Sequence, residues 1–199
     1  MHDISKAKLV AGVDEAGRGP LAGSVVAAAV ILDPSGFIEG LTDSKRLSAA
    51  KREKLEYQIR QEALAWAIGE ASCTEIDEFN ILQASLLAMK RAILRLDPEP
   101  QQVLIDGNRV PDISGFNLRA IVKGDLYEPC ISAASILAKQ YRDRQMQALD
   151  RLYPQYQFAR HKGYPTRLHR DLLKQFGVSP IHRLSFKPVR ELMRGSLDE

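Results

Sequence analysis

Residues 8–20 set the fold, and they read Lys8-Leu9-Val10-Ala11-Gly12-Val13-Asp14-Glu15-Ala16-Gly17-Arg18-Gly19-Pro20. The apolar run within residues 8–13 predicts a first β-strand that ends at the acidic pair. Side chains alternate along a strand, so Asp14 and Glu15 would point to different sides unless the chain turns between them. Gly17 and Gly19 would permit such a turn, because glycine adopts backbone angles that other residues avoid.

Outside this segment, short apolar and β-branched runs predict four further strands. These runs cover residues 24–32, 64–71, 103–106 and 118–122. The continuous apolar run at 24–32 is typical of a strand that is buried on both faces. We therefore expect one sheet with residues 24–32 in its interior.

Helices are predicted between and after these strands. Ser48 caps a helix that reaches residue 62, and Thr74 with Asp77 forms a capping pair for a helix through residue 96. Two short helices are predicted near the C-terminus, one capped by Thr166 and one starting near Pro188. Strands interleaved with helices indicate an α/β fold.

The longest predicted helix covers residues 129–152 and ends at Tyr153-Pro154. Its apolar stripe at helical spacing comprises Ala134, Ala138, Tyr141, Leu149 and Leu152. The residues after this helix predict an appendage rather than a second core. We therefore divide the chain into a catalytic core, residues 1–152, and a basic helical segment, residues 153–199, that packs on the core and contacts nucleic acid.

The charge of the chain is unevenly distributed. Residues 1–138 hold 15 Lys and Arg against 19 Asp and Glu, whereas residues 139–199 hold 13 against 6. A basic C-terminal part indicates either phosphate binding or a solvated helical surface, and charge alone does not separate the two. Residues expected to follow a phosphate backbone are Arg160, Lys162, Arg167, Arg170 and Lys174.

Several classes of protein are disfavoured by composition. Cys73 and Cys130 are too few and too isolated for a disulfide framework or a zinc site. No apolar run approaches the ~20 residues of a membrane span, and the N-terminus lacks the layout of a secretory signal. We expect a cytoplasmic protein with no membrane partner. His161, His169 and His182 are interpreted as surface or backbone-bonded residues.

Four acidic residues stand where the predicted strands end or turn, namely Asp14, Glu15, Asp106 and Asp125. Each alone is equally well explained as a turn residue. Four carboxylates in one place would repel each other, so such a group either takes up protons or binds cations. Oxygen ligands without paired His or Cys favour Mg²⁺ or Mn²⁺, and two such ions can act on a phosphodiester.

At this point the chain resembles type 2 ribonuclease H, the bacterial ribonuclease HII family. The resemblance rests on six blocks in the family's order, at residues 12–20, 43–47, 104–108, 123–125, 131–139 and 161–166. It implies an RNase H-like mixed sheet flanked by helices, with a small helical C-terminal appendage. It also implies that Asp14, Glu15, Asp106 and Asp125 form the catalytic metal site.

The resemblance further implies how substrate is recognised. Backbone groups of Gly17, Arg18 and Gly19 would sense the ribose 2′-hydroxyl, and Tyr164 would stack on the neighbouring deoxyribose. Lys45 is either a contact to the nucleic-acid backbone or a solvated residue at a helix entry. Ribonuclease HIII, a related family, has a long N-terminal extension and a glutamate at the fourth acidic position, where this chain has Asp125.

The function implied is a divalent-metal-dependent endoribonuclease. It would hydrolyse the RNA strand of RNA–DNA hybrids and cut 5′ of ribonucleotides embedded in duplex DNA, as in ribonucleotide excision repair. The products would carry 3′-hydroxyl and 5′-phosphate ends, and the protein would act as a monomer. The alternatives are a DNA-cutting nuclease with the same carboxylates and a non-catalytic nucleic-acid-binding module.

Overall fold

Residues 8–195 are described by the computed structural model, and a five-stranded mixed sheet runs through their centre. The strands are β1 (Val10–Ala16), β2 (Val25–Leu32), β3 (Ala63–Ala71), β4 (Gln102–Asp106) and β5 (Leu118–Ile121). Their order is β3-β2-β1-β4-β5. Strands β1, β2 and β3 pair antiparallel, whereas β4 pairs parallel to both β1 and β5. Strand β1 is therefore central, with its acidic end between β2 and β4.

The helices that surround the sheet are α1 (Ala49–Glu62), α2 (Cys73–Ile93), α3 (Gly124–Tyr127), α4 (Pro129–Leu152), α5 (Phe158–His161), α6 (Arg167–Phe176) and α7 (Lys187–Gly195). Helix α2 lies on one face of the sheet, whereas α1 and α4 lie on the other. Alternate residues of β2 divide between two cores: Ala27 and Ala29 pack with α2, whereas Ala28 and Val30 pack with α1 and α4. Strand β2 is thus buried on both faces, as its apolar run predicted. None of the helices in residues 8–195 is long and apolar enough to cross a membrane.

Strand β1 continues through the acidic pair and ends at Ala16, one residue beyond the pair at which its end is predicted. Asp14 pairs with Ala28 and Glu15 with Ala27 in the antiparallel ladder with β2. These ladder hydrogen bonds hold the chain extended to Ala16 and leave no turn between the two carboxylates. The chain bends only at Gly17, whose φ of 95° lies in the left-handed region.

The start of helix α2 also differs from the prediction. Ser72 is the N-cap, and it forms a capping box with Glu75, so Thr74 and Asp77 are not the capping pair. Asp77 instead accepts hydrogen bonds from the backbone N–H groups of Leu184 and Ser185, each at 2.8 Å. The carboxylate therefore ties the C-terminal part of the chain to the core.

Helix α4 has the predicted bounds, and its buried face follows the predicted stripe at Ala134 and Ala138 but departs from it further along the helix. Arg142 and Met146 are buried, whereas Leu152, which we assigned to the apolar stripe, is 71% exposed. The predicted stripe departs from the buried face because it was read from hydrophobic residues alone, whereas a charged residue, Arg142, is buried in this helix. Leu149 and Met146 contribute to a third hydrophobic cluster, which joins helix α4 to the segment after residue 152.

The described part of the C-terminal segment, residues 153–195, contains helices α5, α6 and α7 around a small core. This core comprises Tyr156, Phe158, Leu173 and Val189 together with Leu21, Ala22 and Met146. His161, His169 and His182 lie inside it, at 7%, 0% and 2% exposure. Of the two alternatives predicted for them, the structure confirms bonding to the backbone and not a surface position, because each ring has a backbone partner.

The three histidines form a connected group in which each ring nitrogen has a defined role. The rings of His161 and His169 stack with centroids 4.2 Å apart. His182 Nδ1 accepts from the Ser179 N–H at 3.0 Å, so its proton is on Nε2, which faces His169 Nε2 at 3.1 Å. His169 is then left to donate from Nδ1 to the Tyr164 carbonyl at 3.0 Å. These tautomers follow from the hydrogen-bond geometry and require both rings to be neutral.

Burial lowers the pKa of both His169 and His182 to about 4. An unfolded chain takes up protons as the pH falls through the ordinary histidine pKa of about 6.5, whereas the folded chain does not until about pH 4. The contribution of these neutral rings to the free energy of unfolding is therefore complete above about pH 6.5. It is lost progressively between about pH 6.5 and pH 4.

We expect His182→Asn to weaken this pH dependence. An asparagine side-chain oxygen can still accept from the Ser179 N–H, but the group no longer titrates. The Tm should be lower than wild type at about pH 7.5, and its fall between about pH 7.5 and pH 5 should be smaller than in wild type, because one of the three buried rings no longer titrates. Thermal unfolding across this pH range measures both quantities.

Leu173→Ala is the matched control, because it removes a buried side chain from the same cluster without removing a titratable group. Its Tm should be lowered by a similar amount at every pH. A wild-type pH dependence in His182→Asn would contradict the assignment of neutral, buried rings.

Candidate active site

The four predicted carboxylates come from three neighbouring elements, β1, β4 and α3, at one end of the sheet. Val13 of β1 pairs with Ile105 of β4 in parallel register. Asp14 and Asp106, the next residue on each strand, therefore lie side by side at the same end of the sheet. Asp125 lies in the first turn of α3, and its N–H donates to Asp106 Oδ1 at 3.4 Å. Glu15 follows Asp14 directly and donates its N–H to Asp14 Oδ1 at 2.7 Å.

Burial and mutual repulsion raise the pKa of Asp14 well above its ordinary value. Burial is the largest cause, followed by the charges of Glu15 and Asp106. Hydrogen bonds from the Ser135 hydroxyl and the Glu15 N–H act in the opposite direction but do not prevail. The ionised form of Asp14 is therefore disfavoured in the protein alone.

The pKa values of two further carboxylates, Glu15 and Asp125, are also raised. Burial raises the pKa of Glu15, although Arg18, whose Nη1 is 3.2 Å from Glu15 Oε1, partly opposes it. Burial also raises the pKa of Asp125, with added repulsion from Asp106 and Asp43 and a small opposing effect of Lys45. The acidic residues thus repel one another across the edge formed by β1, β4 and α3.

This donor set suits hard divalent cations, because it offers only oxygen atoms and its repulsion would be relieved by positive charge. Among residues 8–195, however, no three His, Cys, Asp or Glu side chains are already gathered as a coordination cage. The side chains are close enough to influence each other's pKa but are not closed around a single point. Binding of an ion would have to draw them together.

A cavity of about 300 Å³ adjoins Asp14 and Glu15. All five predicted substrate-binding residues, Gly17, Arg18, Gly19, Lys45 and Tyr164, line it. Ser44, Ser135 and Lys139 line it as well, and these were not predicted as site residues. Ser135 and Lys139 belong to the sequence block 131–139, which was the available signal for them.

The Gly17–Gly19 loop forms one wall of this cavity. A Cβ on Gly17 would overlap the side chain of Arg142, so no larger residue fits there without displacing that arginine. Gly19 is different, because a Cβ there would meet its nearest neighbour, Tyr164 Cε1, at an ordinary 3.5 Å. The protein itself therefore has room for a side chain at Gly19, on the side that faces Tyr164.

Tyr164 stands opposite the loop and is 41% exposed. Its N–H donates to the His161 carbonyl at 2.9 Å, and its own carbonyl accepts from the Thr166 N–H at 2.8 Å and from His169. The preceding Gly163 carbonyl accepts from the Leu21 N–H at 2.7 Å. The backbone of Tyr164 is thus fixed to both the C-terminal segment and the loop that follows β1.

Lys45 lies in a short 3-10 turn, Ser44–Arg46, capped by the Asp43 side chain. Its charge influences Asp125, which places it beside the acidic group rather than on a remote surface. Of the basic residues predicted to follow phosphates, Lys162 is partly buried and donates its Nζ to the Ala159 carbonyl at 2.8 Å. The others, Arg160, Arg167, Arg170 and Lys174, are exposed.

Two buried arginines were missed by sequence analysis, Arg142 and Arg183. Their side chains contact the loop after β1, and Arg183 donates to the carbonyls of Gly17 and Arg18 at 2.7 and 3.0 Å. An arginine in a basic segment gives no sequence signal that it is buried. We had counted both with the surface charge.

Comparison with known proteins gives one family. A family model described as Ribonuclease HII matches residues 11–189. A Ribonuclease HII from Polynucleobacter asymbioticus is 60% identical over 191 residues, covering 94% of this chain and 97% of the relative. A Ribonuclease HII from a Marinomonas species is 56% identical and covers 94% of each chain.

Solved structures share the architecture. The ribonuclease H2 from Pyrococcus horikoshii OT3 matches with a TM-score of 0.78 at 29% identity, covering 96% of this chain and 99% of that chain. Bst-RNase HIII, solved in complex with Mn²⁺, matches with a TM-score of 0.73 at 15% identity, covering 96% and 71%, which shows the common fold alone. The mixed sheet flanked by helices is therefore the predicted RNase H-like fold. This chain belongs to the ribonuclease HII family and is a ribonuclease H, a divalent-metal-dependent hydrolase that cuts RNA–DNA hybrids internally.

Proposed function

We propose that this enzyme also cuts on the 5′ side of a ribonucleotide embedded in duplex DNA and leaves 3′-hydroxyl and 5′-phosphate ends. The observation that carries this is the single cavity shared by Asp14, Glu15, the Gly17–Gly19 loop and Tyr164. Carboxylates that act on a phosphodiester and backbone groups that can read one ribose lie side by side. Because the carboxylates and the loop line the same cavity, a single ribonucleotide could contact both at once.

Asp14 and Asp106 would contribute to two metal positions, and Glu15 and Asp125 to one each. Their repulsion in the protein alone, which raises the pKa of Asp14, is what bound Mg²⁺ or Mn²⁺ would relieve. When bound, two such ions supply charge neutralisation and alignment for an in-line displacement at phosphorus. The Ser135 hydroxyl and the Glu15 N–H hydrogen-bond Asp14 and orient it toward the cavity.

Recognition of substrate would divide between the two walls of the cavity. Backbone groups of Gly17, Arg18 and Gly19 would read the 2′-hydroxyl, which is the group that distinguishes RNA from DNA. The exposed ring of Tyr164 would stack on the adjacent deoxyribose. Lys45 and the exposed basic residues of the C-terminal segment would contact phosphates. Action as a monomer, location in the cytoplasm and the division at residue 152 stay predictions.

The direct test is a DNA duplex that contains one ribonucleotide, incubated with Mg²⁺ or Mn²⁺ in separate reactions. We expect one cut, on the 5′ side of the ribonucleotide, and no cut in the matched all-DNA duplex. Product ends are identified by their behaviour toward phosphatase and ligase. Cleavage of the all-DNA duplex would favour a DNA-cutting nuclease, and cleavage restricted to long hybrids would contradict the proposal.

Asp14→Asn tests the metal assignment. Cleavage should fall by at least ~10²–10³-fold, the range for loss of a group that positions catalytic charge, while hybrid binding stays measurable. Without metal, the Tm should rise, because the variant removes a buried charge that burial and repulsion disfavour. Asp33→Asn, in an exposed turn, is the control and should leave cleavage unchanged. Full activity of Asp14→Asn would show the assignment to be wrong.

Gly19→Ala tests the proposed reading of the ribose by the Gly17–Gly19 loop, which we call the reading loop, separately from an effect on folding. The added methyl group has ordinary contacts with Tyr164, so the Tm should stay close to wild type. It would nevertheless occupy space between the two cavity walls, and kcat/KM on a hybrid should fall about tenfold or more. Gly195→Ala, in open space on helix α7, is the matched control. Equal activity of the two variants would argue against a ribose at this position.

A further inference from the structure

Arg142 and Arg183 are unusual among the charged residues because they are almost completely buried, at 1% and 0% exposure. Within residues 8–195 neither guanidinium lies at ion-pair distance from a carboxylate. Burial lowers the pKa of Arg142 to about 10 and of Arg183 to about 9, both still well above neutral pH. Two positive charges are therefore held inside the protein by neutral groups.

These neutral groups are backbone carbonyls, and almost all belong to one loop. Arg183 donates to the carbonyls of Gly17, Arg18, Gly23 and Ser24 at 2.7 to 3.1 Å. Arg142 donates to those of Ala22, Ser24 and Lys162 at 3.0 to 3.3 Å. The loop between β1 and β2 thus turns its carbonyls inward, toward the two arginines.

Peptide geometry gives this arrangement a consequence on the other side of the loop. A trans peptide group is planar, and its N–H points opposite to its C=O. Because Arg183 draws the carbonyls of Gly17 and Arg18 inward, the N–H groups of Arg18 and Gly19 point outward, where those residues line the cavity. Within residues 8–195 neither N–H has a protein acceptor. Two donors are therefore presented to whatever occupies the cavity.

Arg142 extends the same framework to the opposite wall. Its side chain fills the space beside Gly17, and its Nη1 donates to the Lys162 carbonyl, two residues before Tyr164. The backbone N–H of Arg183 also donates to the Leu21 carbonyl at 2.8 Å. The separation of the loop and Tyr164 is thus set by the direct hydrogen bond from the Leu21 N–H to the Gly163 carbonyl together with the contacts of Arg142. Arg183 holds the loop itself.

We propose that Arg183, which lies in the C-terminal segment, is a positioning residue for ribose recognition because it fixes the two peptide groups whose N–H donors face the cavity. The inference rests on the proposed reading of the 2′-hydroxyl by residues 17–19. Under this proposal the C-terminal segment has a second role besides the proposed contact with phosphates. Its Arg183 holds the peptide groups of Gly17 and Arg18 in place. Lysine cannot replace it, because one ammonium group cannot span four carbonyls as the planar guanidinium fork does.

The test compares Arg183→Lys with wild type in the absence of divalent ions, so that binding is measured without cleavage. The readout is the ratio of the Kd for an all-DNA duplex to the Kd for the same duplex with one ribonucleotide. We expect this ratio to fall about tenfold in Arg183→Lys, which corresponds to loss of one aligned hydrogen bond. The amide ¹H–¹⁵N resonances of Arg18 and Gly19 should shift in the free variant.

Ile93→Ala is the destabilised control, because Ile93, the last residue of helix α2, is buried in a core cluster that includes no residue of the loop. Its Tm should fall, while its binding ratio and the two amide resonances stay as in wild type. If Arg183→Lys does not fold, Asp77→Ala replaces it. That variant releases the backbone N–H groups of Leu184 and Ser185, next to Arg183, and should lower the ratio about threefold.

The outcomes separate this inference from the proposed function. A wild-type protein that binds both duplexes equally would overturn ribose reading by the loop, and the inference with it. A wild-type protein that discriminates, together with an Arg183→Lys variant that discriminates equally well, would overturn the inference alone. A reduced ratio in Ile93→Ala would also overturn it, since any loss of stability would then have the same effect.

Discussion

The contact between strand β1 and helix α4 determines where every part of the site lies. Gly12 has no side chain, and a Cβ there would overlap the backbone of Cys130 and Ile131 in the first turn of the helix. Backbone therefore packs on backbone, which fixes the height of α4 on the sheet. Asp14 follows two residues later on the same strand and reaches the Ser135 hydroxyl one turn further along the helix. The loop that contains residues 17–19 begins where this strand ends.

Much of this architecture was predictable because it depends on local patterns. Short apolar and β-branched runs predicted all five strands. The four acidic residues were singled out because carboxylates at strand ends form a functional pattern, and their role as a metal site stays a prediction. The end of β1 was misplaced because an acidic pair is usually a sign of a turn, whereas here the ladder with β2 keeps it extended. Pairing between distant residues is not visible in a local pattern, and the same reason explains the displaced stripe on α4.

The C-terminal segment was harder to predict than the core. Its histidines and Arg183 are polar residues in a basic stretch, and such residues are usually solvated. They are buried here because each one finds a backbone partner from another part of the chain: Tyr164 for His169, and Gly17 and Arg18 for Arg183. No single segment contains both partners, so neither composition nor periodicity could indicate the contact. The C-terminal segment therefore packs on the core and contributes side-chain contacts to the loop after β1.

Positive and negative charge are separated around the acidic residues, and this separation fits the proposed metal site. An arginine paired with Asp14 or Asp106 would neutralise the carboxylates and compete with metal ions for them. Among residues 8–195, the one cation at ion-pair distance from the four acidic residues is Arg18, on Glu15, and its side chain is half exposed. The two buried arginines lie nearby but are satisfied by loop carbonyls. Within the described part of the chain, the same arrangement therefore leaves the acidic residues without buried cationic partners and holds the shape of the loop that contains residues 17–19.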